Sequence, residues 1–80
     1  MSVDRQALLE EERKLRRLSR AMDVAATLLR QADLTLDEAR DIVEHAKRTA
    51  LKLFPDKEAT FDLIYGPRFR RILVEKYRLQ

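Results

Sequence analysis

One histidine, two serines and no cysteine are what this chain offers for nucleophilic or metal chemistry. His45 follows Asp41 by four residues and Glu38 by seven, so a helix would carry all three on one face, as metal ligands can be arranged. A metal site in a helical bundle draws its ligands from facing helices, and no complementary Glu-x-x-His stands elsewhere to complete one. A surface imidazole beside carboxylates is the plainer reading. Ser2 and Ser19 have no nearby base, and the single glycine cannot build a phosphate-cradling loop. Without cysteine there is no thiol nucleophile, thiolate metal site or disulfide, which suits a reducing compartment. The expectation is a protein that is not an enzyme, holds no cofactor or metal, and takes no small-molecule substrate.

Clustered cations are the second kind of chemistry. Arg13, Lys14, Arg16, Arg17 and Arg20 crowd into eight residues, and Arg13, Arg17 and Arg20 share one helical face with Arg16 beside them. Such a stripe can contact phosphates, although Glu10, Glu11 and Glu12 stand one turn away and would neutralise it. Arg68, Arg70 and Arg71 follow Tyr65-Gly66-Pro67, and a short helix, a tight turn and an arginine-led second helix superficially resemble a helix-turn-helix reader. The second helix, however, offers no Asn, Gln or Ser to base edges. Nucleic-acid binding through both clusters requires the first and last helices to lie side by side, so that their arginines merge. The net charge of +3 is distributed unevenly: basic at both ends and acidic in the middle, a weaker signal than a uniformly basic domain.

The elements that must position these groups are helical. Leu15, Leu18, Met22, Ala25, Leu29 and Ala32 step by threes and fours, and so do Leu36, Ala39, Val43, Ala46, Ala50 and Leu53. Each set forms one stripe, which predicts an antiparallel hairpin of two long helices, about 4–32 and 36–54. Asp4 is a suitable first N-cap, and Thr35 with Glu38 spells a capping box for the second helix. Pro55 disfavours helical geometry at Phe54 and ends that helix. Asp56 can cap a short helix over 57–65 with Phe61, Ile64 and Tyr65 inward. Gly66-Pro67 then predicts a break before a fourth helix over 68–77 with Phe69, Ile72, Leu73 and Tyr77 on one side. Lys76 intrudes on that apolar arc, so the helix either snorkels the lysine or frays there. Glu10–Lys14 and Glu12–Arg16 have the i,i+4 order that supports the exposed start of the first helix. The fold expected is a single all-α domain over residues 1–80: the hairpin, with one or two short C-terminal helices packed on it.

Helix lengths leave residues 4–14 projecting about 16 Å beyond the hairpin, at 1.5 Å per residue. Val3, Ala7, Leu8 and Leu9 belong to this overhang, while Ala21, Val24, Ala26 and Leu28 widen the apolar surface of the first helix beyond one stripe. A helix apolar over more than half its circumference needs partners on two sides. The leading functional expectation is thus protein–protein interaction, as a homodimer or an adaptor, through Val3, Ala7, Leu8, Leu9, Ala21, Val24 and Leu28. No apolar run approaches the roughly 18 residues of a membrane span, and no signal-peptide core follows Met1, so a cytoplasmic protein without membrane contact is expected.

Overall fold

The computed structural model describes residues 4–79 and contains three helices: α1 (Arg5–Gln31), α2 (Leu36–Leu53) and α3 (Glu58–Tyr77). Asp4 caps α1, its carboxylate accepting from the backbone N–H of Gln6 at 3.0 Å and of Ala7 at 3.4 Å. The capping box at the second boundary is complete. The Thr35 hydroxyl accepts from the Glu38 N–H at 3.1 Å, and the Glu38 carboxylate accepts from the Thr35 N–H at 2.9 Å. Phe54, just before Pro55, leaves helical geometry at φ −135°, ψ 79°, which ends α2.

The C-terminal part departs from the sequence expectation. Residues 58–77 form one helix with Pro67 inside it, in place of two short helices separated at Gly66-Pro67, so the bundle has three helices of comparable length. Two features explain this. Proline clashes partly with the Cβ of the preceding residue, and Gly66 has none. Leu63, whose carbonyl loses its i+4 donor at Pro67, is 77% exposed, so the interrupted turn is on the solvent side of the helix. Asp56 does not cap this helix; Lys57 occupies the N-cap position and makes no side-chain capping bond. Phe61, Phe69 and Ile72 are buried, but Ile64 is exposed. The stripe set by Phe61, Tyr65 and Phe69 leaves Ile64 about 100° to one side, at 3.6 residues per turn.

α3 runs back along α2. Near its start, Glu58 and Asp62 meet the Lys47 ammonium at 3.1 and 2.9 Å. At its end, Lys76 donates to the carbonyls of Leu29 at 2.6 Å and Ala32 at 2.5 Å, while the Tyr77 hydroxyl donates to the Leu34 carbonyl at 2.7 Å. Lys76 therefore neither frays the helix nor escapes to solvent. It caps the C-terminus of α1, where orphan carbonyls and the negative end of the helix dipole favour a cation. The core is lopsided: α1 contributes Met22, Ala25, Ala26 and Leu29, and α3 contributes Phe61, Phe69 and Ile72, whereas α2 buries only Ala39, Ala46 and Ala50. The small side chains of α2 let the backbones approach, and the rings of α3 fill the volume.

Only the second half of α1 takes part. Every residue from Asp4 to Arg17 is exposed, including Leu15, which the heptad pattern places on the seam. Neither Glu10–Lys14 nor Glu12–Arg16 closes as an ion pair; among the described residues the pairs are Arg40–Asp37 and those of Lys47. Holding two long exposed side chains together returns little, and Lys14 instead stands 5.9 Å from the Phe54 ring centre. The overhang lengthens the molecule to 53 Å and raises its radius of gyration to 14.9 Å. A compact chain of this length would have a radius of gyration of about 12 Å.

Candidate functional site

α3 covers the hairpin on one side only. On the other side a groove runs between α1 and α2, floored by Ala21, Val24, Ala25 and Leu28 of α1 and by Ile42 and Ala46 of α2. The 3.6-residue period explains the exposure: Met22, Ala25, Ala26 and Leu29 turn inward, which leaves Val24 at 54% and Leu28 at 45% exposure on the flank. Arg17 and Arg20 line one wall, and Arg48 and Lys52, one turn apart on α2, line the other, with Asp41 and His45 towards one end. None of these four cations is ion-paired among the described residues. The site is an apolar trough with a cationic rim. The outer face of α1 adjoins it at Val24 and Leu28, but that depression is lined by α1 alone and has no second wall.

The sequence-nominated residues separate into distinct places. Ala21, Val24 and Leu28 lie in the groove. Ala7, Leu8 and Leu9 lie on the exposed overhang, covered by none of the described residues, and Val3 falls outside the described residues. The basic clusters do not merge. Arg17 and Arg20 face α2, Arg16 turns to the outer face of α1, and Arg13 stays on the overhang. Arg68 and Arg71 occupy the opposite groove, between α1 and α3, together with Arg30 but also with Asp23 and Glu75. Arg70 is exposed outside that groove, and the Arg68 guanidinium lies 5.8 Å from the Tyr65 ring centre. The continuous α3 also removes the turn on which the helix-turn-helix resemblance depends. Arg48 and Lys52 were not among the nominated residues. Their i,i+4 spacing beside His45 is readable in the sequence, but the charge-balanced surroundings of α2 conceal it.

Two titratable groups are shifted by what they touch. Hydrogen bonds from the Thr35 backbone N–H and hydroxyl hold the Glu38 carboxyl below its ordinary value. Hydrogen bonds to Asp62 and then Glu58 raise the Lys47 ammonium above its own. Both are structural contacts, one at the hinge and one between α2 and α3. Among the described residues no group of three or more His, Asp or Glu side chains is placed to hold a metal ion, and no helix is long and apolar enough to cross a membrane.

A small all-helical domain is what the fold and this groove define. Comparison with protein-family models, with characterised proteins and with solved structures finds no match for the chain.

Proposed function

We propose that the chain is a non-enzymatic interaction module whose α1/α2 groove receives an amphipathic helix. The observation that carries this reading is the apolar floor of Ala21, Val24, Leu28, Ile42 and Ala46, left open between two walls of cations that have no ion-pair partner among the described residues. A helix with apolar residues at three- and four-residue spacing fits such a trough, and acidic residues on its flanks would meet Arg17, Arg20, Arg48 and Lys52. The alternative, nucleic-acid binding, lacks the merged basic surface it needs: the arginines divide between two grooves, one of which also holds Asp23 and Glu75.

The test is site-specific photocrosslinking in the native host. A crosslinker replaces Leu28 in the groove or, as a control, the exposed Thr60 of α3. Discrete crosslinked products from position 28 and none from position 60 are expected. Equal or absent labelling at the two positions would remove the groove from consideration.

A further inference from the structure

The groove is charged differently at its two ends. Lys14 stands over the Phe54 ring and the hairpin turns over residues 32–35, so residues of α1 and α2 equally far from the turn lie level. Arg20 is thereby level with Arg48, and Arg17 with Lys52, and all four line the mouth of the groove, away from the turn. Arg17 and Arg20 are about 4.5 Å apart along the axis, and Arg48 and Lys52 about 6 Å, so the four cations share one turn of the pair. None has an ion-pair partner among the described residues, although Asp23 follows Arg20 by three residues and Glu44 precedes Arg48 by four. Towards the turn lies Asp41, the one acidic residue lining the groove among the described residues, about 10 Å from Arg48 along α2. The exposed arm of α1, residues 5–14, continues beyond the mouth with three acidic and three basic residues, and so adds no net charge to it.

Four like charges gathered at one end repel one another, and negative charge set between them relieves the repulsion. A helix supplies that charge at its C-terminal end, where the dipole is negative and the last carbonyls lack intrahelical donors, while its N-terminal end suits a carboxylate. The chain uses the same chemistry internally, since Lys76 donates to the carbonyls of Leu29 and Ala32 at the end of α1. α1 and α2 run antiparallel, so their own dipoles oppose each other along the groove, and its side chains decide which way an occupant lies. We infer that the amphipathic helix received by the groove enters in one direction. Its C-terminal end lies between Arg17, Arg20, Arg48 and Lys52, its N-terminal end lies beside Asp41, and its last turn carries carboxylates. This rests on the groove reading above and specifies the partner: a helical segment of another protein that ends in Asp or Glu, parallel to α2 and antiparallel to α1. The stretch from Arg17 to Leu28 is about 16 Å long, room for about three turns. Apolar residues at three- and four-residue spacing over those turns meet Val24, Leu28 and Ile42 on the floor.

A pair of dye-labelled helical peptides of identical composition tests the direction by fluorescence anisotropy. Both carry leucines at three- and four-residue spacing, blocked ends and a hydrocarbon staple that keeps them equally helical. One has its glutamates in the last turn and the other has them in the first. The peptide acidic at its C-terminal end is expected to bind at least about tenfold more tightly, with the preference shrinking between about 50 and 500 mM salt. R20E/R48E leaves the mouth without net charge and should abolish the preference at unchanged helix content. Equal binding of the two peptides by wild type, or tighter binding of the one acidic at its N-terminal end, overturns the direction. If V24E then weakens both, the groove reading stands and only the orientation is wrong. A preference that survives R20E/R48E overturns the cationic mouth as its cause. Binding of neither peptide up to about 200 μM overturns this occupant, and crosslinking at position 28 then decides separately whether the groove receives anything else.

Discussion

The two ends of α1 have opposite compositions and opposite fates: the first ten residues are mostly charged and the last ten mostly apolar. At its C-terminal end, the carbonyls of Leu29 and Ala32 are taken by Lys76 from α3, and Tyr77 bonds the adjoining turn at Leu34. The next helix starts there on a complete capping box. At its N-terminal end, among the described residues, a local cap, Asp4, is the only side-chain hydrogen bond, and three successive glutamates find no cation. Both ends are helical, but for different reasons. The hinge end is held by bonds that reach 43 to 47 residues along the chain, and the arm by propensity and one cap. Long-range bonds form only when the whole bundle forms, so the hinge end shares the global stability, whereas the arm can open alone. A segment left that free is available to a partner.

Core truncation gives the largest contrast. Leu29 is fully buried, so Leu29→Ala should cost about 2–5 kcal/mol, comparable to the 3–5 kcal/mol of net stability typical of so small a core. That variant should be largely unfolded by circular dichroism. Leu9→Ala, on the arm, should lower the unfolding free energy from urea titration by less than about 0.5 kcal/mol at low micromolar concentration. Equal costs would mean that the arm is part of the cooperative unit. Lysine removal comes next. Lys76→Met strands two carbonyls and should cost about 1.5–3 kcal/mol, the range for hydrogen bonds to a charged group. Lys14→Met should be close to neutral.

How much of this was legible in the sequence follows the same division between local and distant causes. Asp4, Thr35 with Glu38, and Pro55 act on backbone within a few residues, and all three boundaries stand where those residues place them. Gly66-Pro67 misleads because the usual stop rests partly on a Cβ clash that glycine avoids. Phe61 and Phe69, buried on either side, then hold the helix continuous. Lys76 looks like an error in an apolar stripe until its acceptors, on another helix, are known. Within the groove, Ala21, Val24 and Leu28 are visible as surplus apolar surface on a single helix. Arg48 and Lys52 gain meaning only once α2 is set beside Arg17 and Arg20.

The two capped helix starts sharpen the comparison at a smaller scale. Thr35 and Asp4 both accept from the first turn of a helix, and removing such a cap costs about 1 kcal/mol wherever the helix end is part of the cooperative unit. Thr35→Ala should therefore lower global stability by about that amount. Asp4→Ala should leave the unfolding midpoint nearly unchanged and instead speed amide exchange in the first turns of α1. A global loss at Asp4 matching that at Thr35 would mean that the arm belongs to the cooperative unit.

The smallest effects expected are those of pH, and both arise within the bundle. Glu38 has its carboxyl depressed in the folded chain from an ordinary value of 4.5. Its contribution is thus fully present above the unfolded value and disappears as pH falls through the folded one. Glu38→Gln can keep the hydrogen bond while removing the titration. The stability difference between wild type and this variant should therefore be flat near neutrality and shrink in acid. Lys47 has the opposite sign. Its ammonium is raised from 10.5, so the contribution is fully present below that value and is lost as pH rises through the folded one. The difference between wild type and Lys47→Met should be flat through neutrality and vanish only in alkali. Acid should weaken the hinge and alkali the α2–α3 contact, so urea midpoints for both pairs across the pH range separate the two. A Glu38→Gln difference that persists unchanged into acid would mean that the capping box forms equally well with a protonated partner, so that its strength owes nothing to charge.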